Sequence, residues 1–239
     1  MNLQTAFQLM KVEGNVIKLP SQNLPNYAEV KKVMQNNLGK YKGGKTMGFD
    51  FTYDPSGLLK ALQDGQEVNM KKKFHFFPTP PDAISFVLTM VMPMNGERIL
   101  EPSAGQGQFI DGIQNFCSVP NQIDCIEINP INRAVLKEKG HNLIHDDFLT
   151  FECGEKYNMC IANPPFKDYI EHAYKMAEVA KEVCFIAPSS LEWRNDKKTK
   201  ALREFILDQN DGQIHKMPKG SFKSSGTMVD CVVAQFYTE

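Results

Sequence analysis

The chain has 239 residues, a formal net charge of −1 and six cysteines. This length suits one catalytic domain with a modest addition, and the lack of a Cys-x-x-Cys pair indicates reduced thiols of an intracellular protein. The histidines lack metal-ligand spacing, and no apolar run is long enough to span a membrane. Residues 1–15 also lack a basic start and a signal-like core, so we expect no metal, no membrane span and a cytoplasmic location.

Residues 1–73 differ in character from the rest of the chain. The first 75 residues carry eleven Lys and Arg against six Asp and Glu. Their pattern predicts a helix at Tyr27–Asn36, a glycine-rich basic turn at 40–45, a strand near 47–52 and a helix at 55–63. We therefore expect a small basic N-terminal extension at 1–73, which is a candidate for nucleic-acid recognition, and a catalytic domain at 74–239.

Charge is distributed unevenly along the chain. Residues 76–193 carry eight basic against sixteen acidic side chains, whereas residues 194–223 carry eight against four. An acidic centre with basic flanks is expected where phosphate contacts lie beside a pocket. The run Lys71-Lys72-Lys73 is a further candidate for phosphate binding, although charged runs are more often solvated surface.

The stretch Phe76-Phe77-Pro78-Thr79-Pro80 precedes an apolar helix predicted at 83–92. Thr79 can cap this helix, with Pro80 at its first position and Asp82 completing a capping pattern. A helix that begins in this way keeps free N–H groups for a ligand carboxylate. A well-capped core helix would have the same pattern.

A glycine-rich turn follows the next predicted strand, at 98–100. Glu101-Pro102-Ser103-Ala104-Gly105-Gln106-Gly107-Gln108-Phe109 leads from this strand into a helix predicted at Gln108–Phe116. Gly105 and Gly107 allow close approach of the backbone to a ligand, and the helix directs its free N–H groups toward it. The nicotinamide fingerprint requires a third glycine where Ile110 stands, so a dinucleotide oxidoreductase is a weak competitor.

Acidic residues end the next two predicted strands. Residues 123–126 lead to Glu127, which can accept both hydroxyls of a ribose. Residues 143–145 lead to Asp146, Asp147 and Phe148, where Asp147 can accept from an adenine amino group beside the Phe148 ring. Taken singly, either acid is more typical of a helix cap or a surface charge, but their order after the glycine turn favours a nucleoside site.

Asn163-Pro164-Pro165-Phe166 follows an apolar strand predicted at Tyr157–Ala162. The prolines make the turn rigid, and its carbonyls are expected to be free of helix or sheet hydrogen bonds. An amide oxygen, a free carbonyl and the aromatic face of Phe166 can together hold a planar amino-heterocycle such as adenine. By itself, Asn-Pro-Pro is also an ordinary loop.

The remaining elements alternate between helix and strand. They are predicted as a helix at 130–139, a helix at 168–180, a strand at 183–187, a helix at 197–207 and strands at 213–217 and 228–236. This order is typical of an α/β fold with a parallel sheet.

Taken in order, these stretches resemble the successive motifs of S-adenosylmethionine-dependent N6-adenine methyltransferases. The 76–80 stretch is similar to the cofactor motif of the subgroup in which that motif precedes the glycine turn, and residues 220–230 resemble the late loop near the target base. The resemblance covers 76–239, or about two thirds of the chain. Several matches in one order are far less expected by chance than any one of them.

The resemblance implies an α/β, Rossmann-like class I methyltransferase fold. We expect a seven-stranded, mostly parallel sheet with an antiparallel C-terminal hairpin strand, plus the small N-terminal α+β extension. It implies S-adenosyl-L-methionine as cofactor, with Asn163, Pro164, Pro165 and Phe166 as the catalytic residues. The implied cofactor-binding residues are Phe77, Thr79, Pro80, Glu101, Pro102, Ser103, Ala104, Gly105, Gly107, Phe109, Glu127, Ile128, Asp147, Phe148 and Asn163.

The implied reaction is methyl transfer to the exocyclic N6 amine of adenine in DNA after base flipping, with Phe166 stacked on the base. Adenine in RNA and the side-chain amide of a protein glutamine are alternatives, since both present an amine to this motif. A non-enzymatic scaffold subunit that binds cofactor or nucleic acid is a third. No large recognition domain follows the late loop in this sequence, so we expect residues 1–73 or a partner subunit to recognise the target.

Overall fold

The computed structural model describes residues 2–70, 77–118 and 121–238. The predictions made for Phe76 and for the lysine run at 71–73 lie outside these residues. Within the described part, no helix combines the length and the apolarity needed to cross a bilayer. All six cysteines are free thiols, and four of them are buried.

Residues 2–70, as far as the structure describes the N-terminal region, form a small antiparallel sheet with three helices. Its elements are α1 (Leu3–Gln8), β1 (Lys11–Glu13), β2 (Val16–Lys18), α2 (Tyr27–Asn36), β3 (Lys40–Lys42), β4 (Gly48–Asp50) and α3 (Ser56–Gln63). The strand order is β1-β2-β4-β3. The helix predicted at Tyr27–Asn36 has the predicted bounds, whereas α1, β1 and β2 were not predicted.

The prediction of a turn over residues 40–45 is wrong for its first half. Tyr41 pairs with Phe49 in the β3–β4 register, and the two rings pack edge to face with centroids 5.7 Å apart. Cross-strand aromatic packing stabilises an antiparallel pair, so the strand extends into this basic segment. The glycine-rich turn is confined to the residues that follow β3.

The rest of the chain forms a seven-stranded sheet with helices on both faces. Its elements are α4 (Pro81–Val91), β5 (Arg98–Glu101), α5 (Gln108–Phe116), β6 (Gln122–Ile126), α6 (Pro130–Glu138), β7 (Asn142–His145), β8 (Tyr157–Ala162), α7 (Tyr169–Val179), β9 (Ala180–Pro188), α8 (Ser190–Trp193), α9 (Lys197–Asp208), β10 (Asn210–Lys216) and β11 (Cys231–Tyr237). The order is β10-β11-β9-β8-β5-β6-β7.

Strands β5 to β9 pair in parallel, whereas β11 is antiparallel to both β9 and β10. The predicted mostly parallel sheet with an antiparallel hairpin strand is therefore confirmed. The chain leaves β5 in one direction to β6 and β7, and later returns to β8 on its other side. In open α/β sheets, ligands bind at such a switch point, beyond the carboxyl ends of the strands.

Alternation along the central strands separates two hydrophobic cores. Ile99 and Met159 pack in the core beneath α4, α5 and α6, whereas Leu100 and Cys160 pack in the core beneath α7 and α9. Helices cover both faces of the sheet, and strands β8, β9 and β11 read as nearly continuous apolar runs. The small N-terminal sheet has a third core of its own, against which Ile131 of α6 packs.

Gln106 joins the glycine turn to the N-terminal extension. Its side-chain oxygen accepts from the Asp54 backbone N–H at 3.0 Å, and its side-chain nitrogen donates to the Asp54 carbonyl at 3.1 Å. Gln106 is itself buried. The extension is therefore fixed directly to the loop that shapes the switch point.

Candidate active site

A cavity of about 570 Å³ opens at the carboxyl ends of the central strands. Its volume lies in the range of pockets that hold small molecules and cofactors. All but two of the predicted site residues line it, namely Phe77, Thr79, Glu101, Pro102, Ser103, Ala104, Gly105, Phe109, Glu127, Ile128, Asp147, Phe148, Asn163, Pro164, Pro165 and Phe166. Tertiary structure thus brings segments 77–79, 101–109, 127–128, 147–148 and 163–166 to one place.

The predicted start of α4 is wrong. Pro81 is its first residue, Pro80 occupies the N-cap position in an extended conformation, and no side chain caps the helix. A residue that precedes proline is disfavoured in the α region, so Pro80 cannot join the helix. Pro80 lines a second, neighbouring cavity instead of the main one.

Thr79 therefore does not cap α4 as predicted, and its side chain forms a hydrogen bond with Asn163 instead. Its hydroxyl oxygen accepts a hydrogen bond from Asn163 Nδ2 at 3.0 Å. These two residues are 84 positions apart in the sequence. The Asn163 amide is thereby held in one orientation, with its oxygen directed away from Thr79.

The glycine turn needs left-handed backbone at two positions. Gly105 has φ of 55° and Gly107 has φ of 84°, a region that residues with a side chain rarely adopt. A Cβ at position 107 would also lie 2.6 Å from His141 Nε2. Gly105 lines the cavity, whereas Gly107 does not. Gly107 therefore contributes to the shape of the turn and not to the cavity surface.

Glu127 supports the turn through both carboxylate oxygens. Oε2 accepts from the Gly105 backbone N–H and Oε1 from the Asn129 backbone N–H, each at 2.7 Å. Burial raises the pKa of Glu127 to about 7, against the opposing effect of these hydrogen bonds. Each oxygen keeps a lone pair that can accept a ligand hydroxyl.

Glu101 is a second buried carboxyl group in the cavity wall. Burial, followed by the charges of Glu127 and Asp111, raises its pKa well above the ordinary value. Its Oε2 atom is buried and has no hydrogen-bond partner in the described part of the chain. Buried polar atoms are rarely left unpaired, so this oxygen indicates a place where a ligand donates.

Asp147 and Phe148 also line the cavity. Asp147 Oδ1 accepts from the Leu149 backbone N–H at 3.0 Å and so caps a short 3₁₀ turn at Phe148–Thr150. The ordinary cap function of this acid, which the sequence left open, is therefore real. The Phe148 ring is buried, with its centroid 5.6 Å from the His172 ring, and forms an apolar surface.

The corner 163–166 presents two unused acceptors. Asn163 Oδ1 is buried without a hydrogen-bond partner among the residues the structure describes. No backbone N–H of the described ranges donates to the Pro164 carbonyl, whereas the Pro165 carbonyl accepts from Asp168 N at 2.9 Å. The Pro165 carbonyl thus closes the turn that leads into α7, through a turn hydrogen bond and not one of a helix or a sheet.

Phe166 lines the cavity together with residues of the late loop. Its ring contacts the Phe222 ring edge to face, with centroids 6.4 Å apart. Ser225 in the same loop donates to the Pro78 carbonyl. This loop is thereby attached to the segment that carries Thr79, and it closes one side of the cavity.

Several cavity residues were not predicted from the sequence. They are Pro78, Gln108, Asp146, Leu149, Asp168, His172, Phe222, Thr227 and Val229. The late-loop resemblance included the last three without singling them out. His172 lies one helical turn after Asp168, and its Nδ1 is 2.9 Å from the Asp168 carbonyl, a contact that only the folded helix reveals.

No family model matches the chain. Part of it is 31% identical over 91 residues to the Type II methyltransferase M.CvrRI of Paramecium bursaria Chlorella virus XZ-6E, which is 38% of this chain and 24% of that protein. The chain spans about a quarter of the length of the curated relatives it matches.

Solved structures resemble a larger part of the chain. The Type I restriction enzyme EcoKI M protein is similar over 78% of this chain and 51% of that one, with a TM-score of 0.57 and 15% identity. The 23S rRNA methyltransferase ErmE is similar over 69% of this chain and 70% of that one, with a TM-score of 0.54 and 15% identity. The chain has the class I methyltransferase fold.

S-adenosylmethionine is the cofactor of proteins with this fold, and the residues present fit it. The unpaired Glu101 Oε2 and the lone pairs of Glu127 are acceptors that suit an ammonium group and ribose hydroxyls. The Phe148 ring supplies a flat apolar surface for a purine. Within the described residues, no group of three or more His, Cys, Asp or Glu side chains is arranged to hold a metal ion.

Proposed function

We propose that this protein transfers a methyl group from S-adenosylmethionine to the N6 amine of adenine in DNA. The observation that carries the proposal is the half-satisfied amide of Asn163. Its Nδ2 atom donates a hydrogen bond to the Thr79 hydroxyl, while its buried Oδ1 atom has no hydrogen-bond partner in the described structure. Asn163 is one of the residues that line the cavity. An amide held in this way is preorganised to accept one hydrogen from a substrate amine.

The proposed cofactor site uses the glycine turn and the acids that follow it. Glu127 would accept from the ribose hydroxyls, and Asp147 from the adenine amino group of the cofactor beside the Phe148 ring. Glu101 would accept from the ammonium group of the methionine part. Where these carboxyl groups are ionised, each hydrogen bond to them would contribute about 1.5 to 3 kcal/mol, enough to orient the ligand.

The proposed chemistry follows from the poor nucleophilicity of the adenine amine, whose lone pair is delocalised into the ring. When bound, S-adenosylmethionine supplies an activated methyl group on a sulfonium. Asn163 Oδ1 and the Pro164 carbonyl would accept the two amino hydrogens and so turn the nitrogen lone pair toward that methyl group. The same acceptors would stabilise the positive charge that develops on the nitrogen, whose proton can then leave to water.

In duplex DNA the amine lies within the base stack, so the adenine must be rotated out to reach this corner. Phe166 would stack on the flipped base, and its contact with Phe222 holds the ring at the cavity edge. Stacking of this kind contributes about 1 to 3 kcal/mol. An aromatic residue at this position favours a nucleobase over a protein glutamine.

A Type II methyltransferase among the relatives and a restriction-enzyme subunit among the structural neighbours favour DNA as the substrate. The neighbouring 23S rRNA methyltransferase supports RNA as the second candidate. Because the chain spans only about a quarter of its curated relatives, a recognition element on residues 1–73 or on a partner subunit remains part of the proposal.

The test is transfer of an isotopically labelled methyl group to DNA, RNA and protein fractions, followed by mass analysis of the digested nucleosides. The expected product is labelled N6-methyldeoxyadenosine released from the DNA fraction. Labelled N6-methyladenosine found in RNA alone would show that RNA is the substrate. Labelled methylglutamine would show that the substrate is a protein. Binding of S-adenosylmethionine without transfer to any fraction would favour a scaffold subunit.

A further inference from the structure

The basic N-terminal extension contacts the late loop, three residues of which line the main cavity. Lys40 Nζ of β3 donates to the Ser224 carbonyl at 2.9 Å, a contact between residues 184 positions apart. Beside it, Leu38 lies against Gly226, where an added Cβ would be 3.6 Å from Leu38 Cδ2. The edge strand of the small sheet is therefore joined to the loop that closes the cavity.

This contact assembles positive charge from two remote segments. We define the basic rim as Lys40, Lys45, Lys219 and Lys223, all of which are exposed. None of the four forms an ion pair with another described residue. The two other lysines of these segments differ, because Lys42 pairs with Asp50 at 2.7 Å and Lys216 pairs with Glu192 at 3.9 Å.

The loop that carries Lys219 and Lys223 also contributes to the wall of a cavity of opposite character. Phe222, Thr227 and Val229, which belong to the same loop as Lys219 and Lys223, line the cavity. Its interior contains carboxyl groups, among them Glu101, Glu127 and Asp147. A polyanion is therefore disfavoured inside the cavity but attracted to its edge, whereas a single extruded base can enter.

We propose that the basic rim binds backbone phosphates of the DNA strand that flank the extruded adenine. This inference rests on the proposed function and deepens it. Exposed lysines that bind phosphates contribute affinity without sequence preference, and they fix the position of the strand relative to a pocket. Lys40 would also act indirectly, because its hydrogen bond to Ser224 fixes the loop that carries Lys219 and Lys223.

The test is the salt dependence of duplex binding. Affinity for an adenine-containing duplex is measured by fluorescence anisotropy between 50 and 200 mM NaCl, a range over which phosphate contacts have large effects. Lys40→Gln and Lys223→Gln should each reduce the slope of log K against log salt by about 0.9, and the double variant by about 1.8. Lys40→Arg keeps the charge and should restore the slope.

A matched control is the double variant Lys137→Gln and Lys181→Gln. Both lysines are exposed, and Lys181 lies at the start of β9, at the opposite end of the sheet from the cavity. The control removes the same charge and should leave the slope unchanged. An equal loss in the control would show a non-specific effect of net charge and would overturn the inference.

The outcome can be separated from that of the proposed function by repeating the titration with Asn163→Ala, which lacks the acceptor for the amine. Its slope should still depend on Lys40 and Lys223. If the wild type methylates DNA but the slope does not depend on these lysines, the basic rim is refuted and the proposed function stands. If single-stranded RNA, and not duplex DNA, shows the dependence, the assignment to DNA is refuted.

Discussion

Two asparagines, one in the N-terminal region and one beside the seven-stranded sheet, use their side-chain amides in different ways. In the N-terminal region, Asn37 is fully buried, its Nδ2 donates to the carbonyls of Val33 and Val68 at 2.9 Å, and its Oδ1 accepts from Met70 N at 2.8 Å. In the seven-stranded sheet, Asn163 donates to Thr79 only, and its buried oxygen has no partner in the described structure.

The difference separates a structural residue from a candidate catalytic one. A satisfied buried amide stabilises the fold, because each of its partners would otherwise lose a hydrogen bond out of water. A buried acceptor without a partner lowers stability and persists where it serves a ligand. Stability and activity should therefore respond in opposite ways to the loss of these two side chains.

Asn163→Ala should have the largest effect on turnover. Removal of one preorganised acceptor costs about 10²- to 10³-fold in kcat at comparable sites. The affinity for S-adenosylmethionine, measured by calorimetry, and the melting temperature should change little, since the Asn163 side chain makes one hydrogen bond to the residues that the structure describes. Asn163→Asp keeps an oxygen at the same place and should retain more activity than the alanine variant. Full activity in Asn163→Ala would exclude the proposed acceptor.

Asn37→Ala should have the largest effect on stability. It leaves the Met70 N–H and the Val68 carbonyl without their partner, at a cost of about 1 to 3 kcal/mol for each buried group. For a chain of this size, 1 kcal/mol corresponds to about 2 to 4 °C in melting temperature. Below the lowered melting temperature, kcat should stay near the wild-type value. A large loss of kcat in a folded Asn37→Ala protein would contradict the comparison.

Phe166→Ala tests the substrate side of the same corner. Loss of a stacking contact worth about 1 to 3 kcal/mol should raise KM for DNA by about 5- to 150-fold. Phe166→Trp keeps an aromatic face and should preserve binding better than the alanine variant does. Steady-state kinetics with varied DNA and saturating cofactor would measure the change. An unchanged KM in the alanine variant would remove Phe166 from the proposed site.

Glu127 tests the cofactor side, with a smaller and pH-dependent effect. Its pKa of about 7 means that the carboxylate form, which accepts ribose hydroxyls, is lost as the pH falls through 7. S-adenosylmethionine should therefore bind about tenfold more weakly for each pH unit below 7, with a plateau at higher pH. Glu127→Gln should bind weakly and show a flat profile in calorimetry. A profile that persists in this variant would assign the titration to Glu101.

Much of the seven-stranded sheet could be predicted because its signals are local. The apolar run Tyr157–Ala162 and the helix Gln108–Phe116 have the predicted bounds, since buried parallel strands and their connecting helices leave strong patterns over a few residues. The N-terminal region was harder. Strands β1 and β2 contain three residues each, too few for an alternating pattern to emerge.

The candidate site also combines residues that local patterns predict with contacts that they do not. Gly105 and Glu127 follow strand ends, so the order of elements was enough to predict that they meet at one edge. Thr79 was assigned to the helix that follows it, because a cap is the only partner that a local pattern can indicate. Its bond to Asn163 and the bond between Lys40 and Ser224 join positions 84 and 184 residues apart.

The sequence by itself determined the order of strands and helices in the seven-stranded sheet region, the positions of the glycine turn and the proline corner, and the uneven distribution of charge. These features depend on the hydrophobic period and on the backbone preferences of glycine and proline, which act over a few residues. Only the tertiary structure decided which acceptors stay unpaired and which lysines meet the late loop. Hydrogen bonds and charge clusters form between whatever groups packing brings together, and packing is a property of the complete chain.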